Sequence, residues 1–169
     1  MAPRNYTLDQ IPLLSGLPEE DLQALLSVSQ VKTLQPGHSL IKAGETPAFL
    51  ILVLQGRLQS HEQSSDGRVI GLGAFAKGDA VGLLSLIDGL PISSSINAID
   101  TTDLLLIPMA VAQRLVLTRP LVVERLLKLL AAQIRRGVND KAMLSLPNAF
   151  HRIFVQVNQL ASDTPLGQP

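Results

Sequence analysis

The sequence predicts a mainly β fold, a jelly roll of eight strands with helices before and after it. From Val31 onward, short apolar runs alternate with turn signals such as Pro36-Gly37, Gly56 and Asp66-Gly67. Turns that recur about every 8 to 12 residues between β-rich runs are typical of a sandwich or a barrel. Helical periodicity on both sides of this region completes the predicted fold class, a double-stranded β-helix with flanking helices.

The strand positions follow from these turns. Asp66-Gly67 has the composition of a tight hairpin turn, so the strands on its two sides are expected to pair. The predicted strands lie at residues 31–34, 39–42, 49–54, 57–62, 68–74, 80–82, 94–99 and 103–107.

A first helix is predicted to start at Pro18. Proline suits this position because the N–H that it lacks has no partner in the first helical turn. Residues 19–21 are all acidic, which favours the positive end of the helix dipole. Leu22, Leu25 and Leu26 form a single apolar stripe, so we expect this helix to pack against the roll.

A long helix is predicted from Pro120 to about Leu146, after a short helix at 109–117. This helix carries a row of mostly apolar residues along one side. Such a row on a terminal helix indicates a partner helix, so we expect a homodimer. The alternative is that the row packs only against the chain's own roll. The row follows steps of four and three residues, and comprises Val123, Leu127, Leu130, Ile134 and Leu144, with Gly137 and Lys141 in the same line.

Four segments result from this assignment. Residues 1–119 hold the first helix and the roll, and residues 120–146 form the dimerisation helix. Pro147 ends that helix, because proline cannot continue a helix interior. A short helix is predicted at 147–160, and the composition of residues 161–169 predicts a disordered tail.

Composition excludes several functions. Lysine plus arginine and aspartate plus glutamate both number 14, so no net field favours nucleic acid or an anionic membrane. The absence of cysteine excludes disulfides, thiolate metal sites and thiol redox chemistry. The longest apolar run, Ala48 to Leu54, is too short to span a membrane, and we interpret the protein as cytoplasmic.

His61 and Glu62 are adjacent on a predicted strand and point to opposite faces, so no metal site is expected. No acid/base pair or nucleotide-triphosphate loop is recognised either, so we expect no cofactor and no enzymatic activity.

The sequence also carries a spaced series of turn and strand residues. In order, they are Pro36-Gly37 with Leu40 and Gly44, Val53 and Gly56 with Leu58, Gly78-Asp79 with Gly82, Pro91, and Asp103 to Ile107 before Pro108. Over about residues 13 to 160, this order of helix, eight-stranded roll, short helix and long helix resembles the cyclic-nucleotide-binding domain of the Crp/Fnr superfamily. The resemblance implies a roll of the cyclic-nucleotide-binding type and a role in regulation.

The ligand motif of that family is recognisable but altered. The family pattern Phe-Gly-Glu-x-Ala-Leu, a loop, and Pro-Arg-Ala-Ala-Thr is similar to residues 81–86 and 91–95. In the family, the glutamate receives the ribose 2′-hydroxyl and the arginine pairs with the cyclic phosphate. Leu83 and Ile92 stand at these two positions. The resemblance therefore implies a pocket without its two most ligand-specific side chains.

Loss of these groups weakens binding strongly. Removing one partner of a buried charge pair costs about 2 to 5 kcal/mol, and an unpaired ribose hydroxyl costs roughly 1 to 3 kcal/mol more. We therefore expect no binding of cyclic AMP or cyclic GMP in the usual way. Anion contacts remain available from the backbone N–H groups and the serine hydroxyls of the motif, although such serines also occur as plain turn and strand residues. The candidate ligand residues are Gly82, Leu83, Leu84, Ser85, Pro91, Ile92, Ser93, Ser94 and Ser95.

Three functions remain as hypotheses. The first is a regulatory module that acts through a protein partner. The second is a sensor of a noncanonical small ligand, such as cyclic di-GMP. The third is the sensory half of a Crp/Fnr-type transcription regulator, because family members that bind DNA carry a helix-turn-helix domain beyond the equivalent of residue 160. Only nine residues follow Leu160, so we expect no DNA binding by this chain.

Overall fold

The computed structural model describes Leu8, residues 11–63, Asp66 and residues 68–144, with side chains for all of these except 63 and 136–144. The chain divides into two compact units, Met1–Leu127 and Lys128–Pro169. The predicted segments at 147–160 and 161–169 lie outside the described residues. The predicted division at residue 119 stays a prediction.

The elements follow the predicted order. Every strand end lies within one residue of its predicted position. The first helix begins at Glu19, with Pro18 as its N-cap rather than its first residue. Gly67 of the predicted hairpin turn is outside the described residues, but the strands on both sides of it do pair. The elements are α1 (Glu19–Val28), β1 (Gln30–Leu34), β2 (Ser39–Ile41), β3 (Phe49–Gln55), β4 (Leu58–Gln63), β5 (Val69–Phe75), β6 (Ala80–Val81), α2 (Leu83–Asp88), β7 (Ser95–Ala98), β8 (Thr102–Pro108), α3 (Met109–Thr118) and α4 (Pro120–Leu144).

The strands form two four-stranded sheets in the orders β1-β8-β3-β6 and β2-β7-β4-β5. All strand pairs are antiparallel. Apolar side chains from both sheets pack together in a common cluster, which is the expected product of two sheets with apolar inner faces. Its buried members are Leu34, Ile41, Ile51, Val53, Leu58, Val81, Ile96, Ala98 and Leu104.

The helix α1 contributes a smaller apolar face than predicted. Leu22 and Leu25 are buried, whereas Leu26 is 37% exposed and does not belong to the packed stripe. An ion pair adds to the packing, since Arg119 Nη2 lies 2.6 Å from Asp21 Oδ1. The hydrogen bond from Arg119 to this carboxylate raises the pKa of the Arg119 guanidinium. The pair joins α1 to the residue that precedes α4.

Gly56 forms the tight connection between β3 and β4. Its φ of +86° lies in the left-handed region that favours glycine. A Cβ at this position would lie 2.5 Å from the carbonyl oxygen of Thr101 and 2.7 Å from the Cα of Thr102. Thr102 Oγ1 in turn donates to the carbonyl oxygens of Arg57 and Asp100. Both the conformation and the space at this turn therefore require glycine.

Candidate functional site

The candidate site is the segment 81–95, which we call the cassette. It begins where β6 ends and α2 starts, and Gly82 makes the change of direction with a φ of 92°. The nearest atoms to a hypothetical Cβ on Gly82 are at 3.6 Å or more, so the conformation, not the space, requires glycine. At the other end of α2, Gly89 is also left-handed and its N–H donates to the carbonyl oxygen of Ser85. Two glycines thus confine α2 to six residues.

The short helix divides its side chains between interior and surface. Leu83, Ser85 and Leu86 are buried. Leu84 and Ile87, and Leu90 just beyond the helix, are exposed. Of these three, only Leu84 is among the candidate ligand residues; the exposure of the three side chains was not predicted, although the apolar density of LLSLIDGL was a visible signal.

Leu83 is the residue that the resemblance aligns with the ribose-binding glutamate of the family. Its side chain is 3% exposed, so an apolar group fills this part of the interior. It offers no acceptor to a hydroxyl group, and an unpaired hydroxyl placed beside it would lose its hydrogen bonds to water.

Ile92 is the residue that the resemblance aligns with the phosphate-binding arginine of the family. It is half-buried and packs against the core of the roll. Its backbone N–H donates to the carbonyl oxygen of Glu45, and its carbonyl accepts from the N–H of Gly44. The side chain and both backbone polar groups of Ile92 are therefore committed to the fold.

The serines of the cassette differ in their surroundings. Ser85 is buried, Ser93 is exposed, and Ser94 is half-buried. Ser95 begins β7, and its hydroxyl oxygen accepts a hydrogen bond of 3.1 Å from the N–H of Ala43. Ser95 thus has a structural bond, and Ser93 has the freest hydroxyl of the four. Pro91 is exposed before them.

Two arginines of the roll are paired with aspartates outside the cassette. Arg57 Nε lies 2.6 Å from Asp100 Oδ2, and Arg68 Nη2 lies 2.6 Å from Asp66 Oδ2. The hydrogen bond from Arg57 lowers the pKa of Asp100 and raises the pKa of Arg57 itself. Lys77 is exposed after β5. None of the three side chains has a described contact with the cassette.

The predicted dimer row lies on α4, which is continuous from Pro120 to Leu144. Val123 and Leu130 are half-buried, whereas Leu127 is 60% exposed and Ile134 is 68% exposed. Only the backbone is described for Gly137. The row thus includes large apolar side chains that the single chain leaves in contact with water.

Among the described residues, no three histidine, aspartate or glutamate side chains are grouped so that they could hold a metal ion. No described helix is both long and apolar enough to cross a membrane.

The roll and the cassette have counterparts in other proteins. The CRP-like cAMP-activated global transcriptional regulator of Mycobacterium tuberculosis is 27% identical over 149 residues, which cover 88% of this chain and 66% of that protein. Lysophospholipase NTE1 of Phaeosphaeria nodorum is 29% identical over 104 residues, which cover 62% of this chain and 7% of that protein. The chain therefore spans a small part of one relative and less than two thirds of the other.

The same similarity holds for the three-dimensional structure. The catabolite activator protein of Thermus thermophilus superposes with a TM-score of 0.67 at 28% identity, over 79% of this chain and 63% of that one. The sequence profile of the cyclic nucleotide-binding domain matches residues 31–119, from β1 to the residue before α4. This match covers more than half of the chain, and the chain belongs to the family of cyclic nucleotide-binding domains.

Proposed function

We propose that this chain is a non-enzymatic regulatory module that does not bind cyclic AMP or cyclic GMP in the usual way and acts through a protein partner. The observation that carries the proposal is the state of the cassette. Leu83 is buried as part of the apolar interior, and Ile92 packs against the core of the roll. Neither position can supply the charge that a cyclic nucleotide needs.

The size of the loss supports the proposal. Without a guanidinium, the phosphate gives up a buried ionic contact worth about 2 to 5 kcal/mol. Without a carboxylate to accept its hydrogen bond, the ribose hydroxyl reduces the binding free energy by roughly 1 to 3 kcal/mol more. A ligand bound at about 1 μM, equivalent to about 8 kcal/mol, would fall to about 0.1 mM or weaker.

The surface of the cassette is consistent with a protein partner. Leu84, Ile87 and Leu90 are exposed, and exposed apolar side chains close together in sequence favour contact with another protein. The third hypothesis of the sequence analysis remains a second candidate, because the relatives include a transcription regulator of which this chain covers 66%. In that case the module would act on a DNA-binding domain rather than on a separate protein.

A thermal-shift series tests the proposal directly. The purified chain is titrated with cyclic AMP, cyclic GMP and cyclic di-GMP, each to millimolar concentration. A ligand at about 100 times its dissociation constant adds about 2.7 kcal/mol of stability, which is a visible shift of the midpoint. We expect no shift with cyclic AMP or cyclic GMP, and a shift at micromolar concentration would contradict the proposal. A shift with cyclic di-GMP alone would favour the noncanonical sensor instead.

We further propose that the module is a homodimer through α4. The exposure of Leu127 and Ile134 supports this, since burying a leucine or isoleucine side chain yields about 1.5 to 3 kcal/mol.

Leu127→Glu together with Ile134→Glu should convert the dimer to a monomer, as measured by light scattering. Leu117→Glu is the matched control, because Leu117 lies on α3 and is 86% exposed outside the row. If the wild-type chain is a monomer at roughly tens of micromolar, the proposal is wrong.

A further inference from the structure

The two sheets have four edge strands, and one of them differs from the rest. The edges are β1 and β6 in one sheet and β2 and β5 in the other. Natural edges avoid pairing with other chains when they are short or carry charges or proline. The strand β6 has two residues, β2 has three, and β1 carries Lys32 at its centre. These three edges are therefore protected.

The strand β5 lacks these protections, and its one irregularity is a bulge at Leu72. It is seven residues long, with the sequence VIGLGAF, and contains no charged residue and no proline. Its outer side has no strand partner in the described sheets. Val69 is 68% exposed, Ile70 is 51% exposed and Leu72 is 52% exposed. Both the backbone edge and the apolar side chains are accessible.

The strand has one irregularity on its inner side. Gly73 lies opposite Ser60 and Gly71 lies opposite His61, so Leu72 is an extra residue in the ladder with β4. Such a bulge bends an edge locally. The residues from Val69 to Gly71 pair regularly with Gln63, Glu62 and His61, which leaves the first half of the strand regular.

A second copy of this chain is the occupant that fits β5. A twofold axis brings the same strand from two copies together in antiparallel orientation, so the edge must complement itself. Every residue from Val69 to Phe75 is apolar or glycine, so pairing with a second copy places apolar side chains of one copy beside those of the other. Equal numbers of acidic and basic residues mean that two copies do not repel each other through net charge, and Arg68 at the end of the strand is paired with Asp66.

We propose that β5 is a pairing edge through which two copies of this chain join as antiparallel strands. A strand of seven residues is about 24 Å long, and pairing along it buries less than the ~800 Å² per partner of a standard interface. The association is therefore weak and depends on concentration. If α4 also joins two copies, the β5 contact links such dimers into larger assemblies.

The test removes the α4 contact first. In the full chain with Leu127→Glu and Ile134→Glu, sedimentation is followed from about 1 μM to about 1 mM. We expect the average mass to rise towards twice that of the monomer. Adding Ile70→Lys should hold the chain at the monomer mass over the same range. Adding Val31→Lys, the matched change on an edge that already carries Lys32, should leave the rise unchanged.

Two outcomes would overturn the proposal. The first is a monomer at all concentrations in the chain that lacks the α4 contact. The second is the same rise of mass with and without Ile70→Lys. These measurements are made without the α4 contact. A negative result therefore contradicts pairing through β5 and does not bear on the α4 dimer.

Discussion

Gly56→Ala is expected to lower the free energy of unfolding by about 3 to 5 kcal/mol, a large effect for one methyl group. Two costs add. The φ of +86° places any L side chain in the left-handed region, which costs about 1 to 2 kcal/mol. The new Cβ would also lie 2.5 Å from the Thr101 carbonyl oxygen and 2.7 Å from the Thr102 Cα. Both atoms belong to the backbone, so the connection to β8 must move.

Gly44→Ala is the control for this prediction. Gly44 has nearly the same φ, +84°, but no atom lies within 4 Å of a Cβ built there. We therefore expect Gly44→Ala to cost only the conformational part, about 1 to 2 kcal/mol. Urea denaturation followed by circular dichroism measures both variants. If the two substitutions lower the free energy of unfolding equally, the close approach at Gly56 does not contribute to the cost.

Restoring the two family charges should create a nucleotide site. Leu83→Glu combined with Ile92→Arg returns an acceptor for the ribose hydroxyl and a cation for the phosphate. The restored ionic contact alone is worth at least about 2 kcal/mol, or about 30-fold in affinity for cyclic AMP. Isothermal titration calorimetry compares the double variant with the wild-type chain.

The double variant should also be less stable without ligand. Leu83 is buried, and a carboxylate at that place is removed from water until a ligand hydroxyl meets it. Cyclic AMP should therefore stabilise the variant and leave the wild-type chain unchanged. Leu84→Glu combined with Ser93→Arg places the same charges one residue further along, at exposed positions, and should gain no affinity. A similar gain in affinity for cyclic AMP in this control would contradict the assignment of the two positions.

The eight strands were predictable because local residues mark their ends. Glycines that adopt positive φ, such as Gly37, Gly44 and Gly56, interrupt the chain between strands, and this information is local in sequence. Even β6, with two residues, was found because Gly82 follows it. The order of the strands within the sheets was not predicted, because it depends on pairing between distant segments.

The degree of burial was less predictable than the element type. The run from Val69 to Phe75 could equally be a buried strand or an edge, since a short apolar run does not distinguish them. The structure makes it an exposed edge. Leu26 was expected on the packed stripe of α1 and is instead exposed, because a helix sequence does not show how much of its apolar face its neighbours cover.

The candidate site was located from the sequence, but its contacts were not. The position of Gly82 and the two apolar substitutions could be recognised from the motif alone. The backbone bonds of Ile92 to Gly44 and Glu45, and the bond from Ala43 to Ser95, join segments that are far apart in sequence. No local pattern predicts such bonds, and they are what fixes the second half of the cassette in place.

The most direct test of the account is a nuclear magnetic resonance titration of the isotope-labelled chain with cyclic AMP. Its readout is the chemical shift of the backbone amides of Gly82, Leu84 and Ser93, one residue at a time. At about 1 mM ligand, a micromolar site would be saturated. Because the cassette lacks both charged side chains, we expect that these amides do not shift. A saturable shift centred on Gly82 and Ser93 would contradict it, and would mean that other side chains hold the phosphate in this cassette.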